Sequence, residues 1–334
     1  MQPRVRLGQS PIEVAPLGVG CWAWGDREYW RYEEDHTASD VVAAFDASLA
    51  GGIDLFDTAE AYGWGKSEQL VGALARRSPR DVVVATKYAP LAGRGGAAAI
   101  AKGLAGSLRR LGVPRIDLYQ MHWADSDEVP IAAAMDAFAA AVRDGQVAAV
   151  GVSNFRAGEM REAHAALARH DVPLASNQVH YSLLHRAPEV DGVLDTCGEL
   201  GVTLLAYSPL EQGLLTGTYG PGRLPQGLRA EAAWFAADNV AAAQPVIDAL
   251  TAMAAAHGVD AAAARDRERG VDPVEPGLAV GGVEDGRRPR VRDRITDEAG
   301  DPGLAVDGHS LIIPRALRGL RCSPRAPPGW WRST

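Results

Sequence analysis

The chain has 334 residues, 47% of them hydrophobic, and a formal net charge of -8. It carries no basic face of the kind nucleic-acid binders need. It has no run of about 18 apolar residues suited to a membrane helix, and Met1–Ser10 has no apolar core of a secretory leader. Cys21, Cys197 and Cys322 are odd in number and far apart, which excludes a disulfide framework or a CxxC metal site and fits a reducing cytoplasm.

In chain order, short apolar runs alternate with alanine-rich helical stretches. Val14–Cys21 and Ile53–Thr58 read as strands, and Ser67–Arg76 as a helix. Val82–Lys87 is a strand followed by helix Ala97–Leu111. Ile116–His122 precedes helix Pro130–Asp144, and Val147–Ser153 precedes helix Ala157–His170. Leu174–Val179 leads into a helical Pro188–Leu200, and Val202–Ser208 is the last clear strand. Strands that are apolar on both faces and alternate with helices predict a parallel sheet. About seven units favour a closed (β/α)8 barrel over an open sheet, and no GxGxxG follows the first strand to support a dinucleotide fold of the open type.

Polar residues fall at or just past the ends of successive strands: Asp57, Lys87, His122, Ser153–Asn154, Gln178 and Tyr207–Ser208. In a barrel these ends converge on one mouth, where active sites lie. Lys87 is one of three lysines, with Lys66 and Lys102, in a chain that otherwise uses arginine for positive charge. A compact ammonium beside a tyrosine hydroxyl favours the phenolate and lowers the tyrosine pKa. Asp57 would keep that lysine charged and His122 would orient a carbonyl. Asp57, Tyr62, Lys87 and His122 thus form a candidate proton-donating group. Singly, each has a structural reading as a cap, a loop aromatic, a solvated strand end or a buried hydrogen-bonder. His164, His170, His180 and His185 lack ligand spacing and read as structural, so no metal site is expected.

Asp57-Thr-Ala-Glu-Ala-Tyr62-Gly with Ser67-Glu68, Val84-Ala-Thr-Lys87, Asp117-Leu-Tyr-Gln-Met-His122, Gly151-Val-Ser-Asn-Phe155, Asn177-Gln178 and Ala206-Tyr-Ser-Pro-Leu210 together resemble the aldo-keto reductase family, from about residue 5 to residue 260. Gly20–Gly25 and Ser176–Leu184 look most like bacterial and plant pyridoxal reductase-like members. The resemblance implies a cytoplasmic NADPH-dependent reductase of small aldehydes or ketones, with Tyr62 as general acid. It assigns Ser153, Asn154 and Gln178 to the nicotinamide carboxamide and Tyr207 to the ring face. Ser208, Leu210, Gln212, Gly213 and Leu215 would wrap the diphosphate, and Gly20, Cys21, Trp22 and Asp57 would border the cofactor. In the loops at the expected mouth, Trp22, Trp24, Trp30 and Trp123 would line an apolar substrate pocket with Tyr62 and His122, or simply cover the barrel rim.

After about Val259 the resemblance stops, and residues 261–334 form an Arg/Pro/Gly-rich segment without the family's eighth βα unit. A reading-frame shift near codon 260, or a disordered tail, is one expectation. The other is a barrel with two unpaired strand edges. Val271–Gly277 and Leu311–Arg315 echo the missing strand and its loop. Two further readings stay open: a catalytically weak regulatory or cofactor-binding barrel, and a lyase using Lys87 as a Schiff-base nucleophile.

Overall fold

A computed structural model describes residues 4–90, 96–124, 129–257 and, for the backbone, 309–312. Two short strands, β1 (Val5–Arg6) and β2 (Glu13–Val14), pair antiparallel. Seven strands then pair side by side, all parallel: β3 (Leu17–Gly20), β4 (Leu55–Asp57), β5 (Val83–Tyr88), β6 (Ile116–Met121), β7 (Val147–Ser153), β8 (Leu174–His180) and β9 (Thr203–Tyr207). The intervening helices are α1 (Ala38–Ala50), α2 (Lys66–Arg77), α3 (Ala97–Leu111), α4 (Ile131–Arg143), α5 (Ala157–Ala168) and α6 (Val193–Leu200), with α7 (Ala237–His257) after β9. Local chemistry sets several ends. The Asp40 carboxylate accepts the Thr37 N–H at 2.7 Å to start α1. Gly112 stops α3 in the left-handed conformation, φ 66°.

The seam between β9 and β3 is filled. The strand β10 (His309–Ile312) runs antiparallel to β3, His309 opposite Gly20 and Ile312 opposite Leu17, and meets β9 at Ala206. This corrects the expectation of unpaired edges. Backbone N–H and C=O groups along β3 and β9 need partners whatever the direction of the filling strand. The strand comes from beyond residue 260. Residues 258–308 and 313–334, on which the frame-shift and disorder expectations otherwise fall, lie outside the described residues.

Alternation along the strands separates two layers of side chains. One set, Leu55, Ala85, Leu118, Ala149 and Leu205, packs inside the barrel against Leu7, Ile12 and Val14 from the β1–β2 segment, which plugs one end. The other set, including Phe56, Val84, Tyr119, Val150 and Leu204, packs outward against the helices. Two residues further along the inward set, the apolar floor gives way to Asp57, Lys87, Gln120, Gly151 and Tyr207. The strand register places Lys87 beside Gln120 and Ser153 beside Gln178. The polar site therefore sits one layer above an apolar plug.

Candidate active site

Lys87 is the centre of the polar layer and is fully buried. Its Nζ forms an ion pair with Asp57 Oδ2, donates to the Thr58 carbonyl at 3.0 Å and donates to the Tyr62 hydroxyl at 3.4 Å. The other Asp57 oxygen accepts two amides, from Gln120 Nε2 and Gln178 Nε2, each at 2.9 Å. Burial alone would lower the Lys87 pKa, but the Asp57 charge and the Tyr62 hydroxyl outweigh it and hold the lysine above its ordinary value.

Tyr62 behaves differently from the sequence expectation. Burial raises its pKa, the Lys87 charge pulls it back, Asp57 adds to the rise, and the net shift is upward. The hydroxyl is thus held protonated across neutral pH. His122 packs edge-on to the Tyr62 ring, with centroids 5.7 Å apart. Burial, with the Lys87 charge second, pushes the His122 pKa down to about 3, so its imidazole is neutral. His122 Nδ1 is buried with no hydrogen-bond partner among the described residues. A neutral ring with its proton on Nε2 leaves Nδ1 as a bare acceptor and avoids burying an orphaned N–H.

The loop that carries Tyr62 is tightly constrained. Gly63, Trp64 and Gly65 are left-handed, at φ 52°, 56° and 90°. A Cβ on Gly63 would lie 2.5 Å from the Gly25 carbonyl oxygen, so only glycine fits there. Behind the loop, buried Glu68 accepts from Thr86 at 2.7 Å and from Arg110 at 2.5 Å. The Ser67 hydroxyl donates to the Cys21 carbonyl at 2.7 Å and accepts from Thr58 at 2.7 Å. These links tie the start of α2 to both flanking strands.

Ser153, Asn154, Gln178 and Tyr207 meet on one side of this group. The Ser153 hydroxyl donates to the Gln178 carbonyl at 2.8 Å. Asn154 Nδ2 donates to the His122 carbonyl at 3.0 Å and its Oδ1 accepts from Tyr207 at 3.0 Å. Burial, then proximity to Tyr62 and Glu211, raises the Tyr207 pKa to about 12, so it stays a neutral donor.

After β9 the chain bends through Ser208 at φ 47°, Glu211 at 51°, Gln212 at 53° and Gly213 at 96°. Within the turn the Glu211 N–H donates to the Ser208 carbonyl at 2.9 Å and the Gly213 N–H to the Leu210 carbonyl at 3.1 Å, which fixes the bend. Two of the non-glycine residues are held by side-chain anchors. Glu211, buried, takes His180 Nε2 at 3.0 Å and the Ser182 hydroxyl. Gln212 Oε1 accepts the Tyr29 hydroxyl at 2.7 Å. Leu215 packs with Leu214, Phe235 and Ile247, so its side chain belongs to a core, and its N–H donates to the Leu210 carbonyl at 3.1 Å.

The aromatic residues divide. Trp22 stacks on Tyr29 at 4.9 Å and on Tyr62 at 5.9 Å, and Trp123 lies 4.8 Å from His122; these rings border the site. Trp30 is buried edge-on to Trp22 at 5.6 Å and forms a second layer behind it. Trp24 does not line the mouth: it is 1% exposed and packs on Phe56 at 5.9 Å. A tryptophan in that glycine-rich turn gains more from the core than from the rim. Cys21 is fully buried, and burial followed by the Asp57 charge holds its thiol well above the ordinary value. It packs in the outer core with Trp24 and Phe56 rather than offering a group to a ligand.

Sequence reading missed Gln120, Glu211, His180 and Tyr29. Gln120 had a visible signal, a lone amide at an inward position of an apolar strand. The other three depend on loop-to-loop contacts that no local pattern reports.

The family model for the aldo/keto reductase family matches residues 16–264. The chain belongs to the aldo/keto reductase family. Among its relatives, the chloroplastic pyridoxal reductase of Arabidopsis thaliana is 36% identical over 241 residues, covering 68% of this chain and 65% of that protein. The chain thus spans just under two thirds of that relative's length. The NADH-specific methylglyoxal reductase of Escherichia coli is 33% identical over 256 residues, covering 71% of this chain and 76% of that one. Among solved structures, the glycerol dehydrogenase of Gluconobacter oxydans superposes with a TM-score of 0.67 at 30% identity, covering 79% of this chain and 82% of that chain. The family's members are oxidoreductases that act on small carbonyl compounds and use nicotinamide cofactors. No described helix of this chain is long and apolar enough to cross a membrane.

Proposed function

We propose that the protein is an NADPH-dependent reductase that converts an aldehyde or ketone to an alcohol, with Tyr62 donating the proton. One observation carries the reading: Asp57, Lys87 and Tyr62 form a continuous chain, from two buried charges to a half-buried hydroxyl, that ends beside a neutral His122. The left-handed turn from Ser208 to Gly213 would lie along a dinucleotide diphosphate. Ser153, Asn154 and Gln178 lie together where they would hold the carboxamide, and Tyr207 would support the ring. When bound, NADPH supplies the hydride.

The rest of the chemistry belongs to the chain. His122 Nε2–H would fix the substrate carbonyl by a hydrogen bond to its oxygen. The Tyr62 O–H proton passes to that same oxygen as negative charge develops on it. The phenolate left on Tyr62 is stabilised by the adjacent Lys87 ammonium, which Asp57 holds charged and in place. A raised Tyr62 pKa and a strong neighbouring cation are compatible, because the acid must be protonated at rest and its anion tolerated after transfer. Trp22, Tyr29 and Trp123 give the mouth apolar, aromatic walls, which favour a substrate with an apolar face. The Schiff-base role for Lys87 is disfavoured, since an amine held charged by Asp57 is not a nucleophile.

The test is turnover of a panel of aldehydes with NADPH and with NADH, followed by nicotinamide absorbance. Reduction with NADPH preferred is expected. Tight NADPH binding without turnover of any carbonyl would instead identify a regulatory barrel, and borohydride trapping of a substrate on Lys87 a lyase.

A further inference from the structure

The end of β8 carries a histidine to which the chemistry proposed above gives no part. His180 stands opposite Tyr207 in the β8–β9 register, so the two side chains enter the same layer at the mouth. Their rings are nearly parallel, 11° apart, with centroids 5.5 Å apart. His185 stacks on His180 as well, at 4.1 Å and 11°, and Trp234 meets it edge-on at 5.8 Å. Nε2 of His180 lies 3.1 Å and 3.0 Å from the two oxygens of Glu211. A carboxylate only accepts, so the ring proton sits on Nε2.

Each of these partners is itself fixed. Glu211 is buried and accepts from the Ser182 hydroxyl. Ser182 Oγ accepts the Leu184 N–H at 3.0 Å and the His185 N–H at 2.8 Å, which sets the short loop that brings His185 against His180. Burial, with the proximity of His180 second, lowers the His185 pKa to about 4, so that ring packs as a neutral group. Tyr207 is held less completely. Its hydroxyl donates to Asn154 at 3.0 Å. That bond fixes the tip of the ring and leaves it free to turn about the line from Cβ to the oxygen, a soft torsion in tyrosine. A flat partner against the ring face resists that turn, and His180 is such a partner.

We infer that His180 is a positioning residue: by stacking on Tyr207 it sets the plane of the ring that Tyr207 would offer to the nicotinamide, and Glu211 in turn sets the plane of His180. The inference rests on the proposed reading that Tyr207 supports the nicotinamide. His180 acts through Tyr207 and touches neither reactant. A support that tilts misplaces what rests on it, and a misplacement of about 1 Å can slow a reaction about 10²-fold.

Two variants separate the ring of His180 from its hydrogen bond. His180→Gln keeps a donor for Glu211 and loses the ring; His180→Phe keeps the ring and loses the donor. The experiment measures, for the full chain and both variants, the fluorescence anisotropy decay of bound NADPH, calorimetric NADPH affinity, single-turnover reduction and the Tm without ligand. His180→Gln is expected to show a fast local depolarisation of the bound nicotinamide that the parent lacks. Its reduction rate should be about tenfold lower, with affinity close to that of the parent. His180→Phe should restore the slow decay and most of the rate while binding NADPH more weakly. A His180→Gln variant with the parent's anisotropy decay overturns the inference and leaves the cofactor reading intact. So does loss of rate in both variants with the same drop in Tm, which marks His180 as packing alone. If the parent binds NADPH without turnover, the anisotropy decay still decides. A parent chain that does not bind NADPH overturns both readings.

Discussion

The two sides of the barrel mouth are built by different means. Around Tyr62, the side chains come from strands β4, β5, β6 and β8 and are locked by an ion pair and two amides on one carboxylate, Asp57. Around Gln212, the backbone closes on itself through its own hydrogen bonds and is held in a costly conformation by anchors from distant segments, Tyr29 before α1 and His180 at the end of β8. Left-handed non-glycine residues cost about 1–3 kcal/mol each. They persist because their side chains are tied down. One side thus resists change through charge pairing in the interior, the other through a few long-range hydrogen bonds near the surface. The first should fail abruptly when altered and the second by degrees.

The largest effect that would sharpen this contrast is at Lys87. Lys87→Met leaves the Asp57 carboxylate buried without its counter-charge, a loss of about 3–5 kcal/mol by analogy with other buried pairs. Urea unfolding should show it, together with near-complete loss of reduction. The double variant Asp57→Asn/Lys87→Met should regain much of the stability and none of the activity. Additive losses in the double variant would contradict the pairing.

On the other side, Glu211→Gln removes the charge that His180 and Ser182 hold. Cofactor affinity should fall about tenfold, or about 1.4 kcal/mol, while the rate at saturating NADPH stays near that of the parent. A fall in that rate with affinity unchanged would place Glu211 in the chemistry instead. Tyr29→Phe deletes one neutral hydrogen bond, worth about 1 kcal/mol. A severalfold faster cofactor release in stopped-flow displacement is expected, and an unchanged release rate would remove Tyr29 from the anchoring of Gln212.

The pH profile separates the acid from the orienter. The His122 pKa lies at about 3, so the ring does not change charge between pH 5 and 9 by its own titration. Tyr62 lies above its ordinary value of 10 and donates only when protonated. Single-turnover reduction should therefore be level through neutral pH and decline only as pH rises past about 10. An inflection near pH 6.5, the ordinary histidine value, would show that His122 titrates during catalysis.

How much of this was legible in the sequence follows from the geometry. Asp57, Lys87, Ser153, Gln178 and Tyr207 were readable because parallel strands bring their ends to one mouth, and strand ends can be located from apolar runs. Alternation from Leu118 to Gln120 marked the inward amide as well, though its meeting with Asp57 needed the register. Glu211 and His180 were not readable, because they meet across separate segments and loop packing leaves no period in the chain. Trp24 and Trp22, two residues apart in one glycine-rich turn, look alike in sequence; packing alone sends the first into the core and the second to the site. The closing strand was obscured for a related reason. His309–Ile312 is four residues long and far from the last clear helix, and its antiparallel course breaks the strand–helix alternation used to count units.

The central claim is that Tyr62 delivers the proton. The most direct measurement is single-turnover reduction by Tyr62→Phe, with NADPH binding measured on the same preparation. The account predicts cofactor affinity within about twofold of the parent and a reduction rate lower by about 10² to 10⁴. Retained single-turnover reduction in the phenylalanine variant would contradict it.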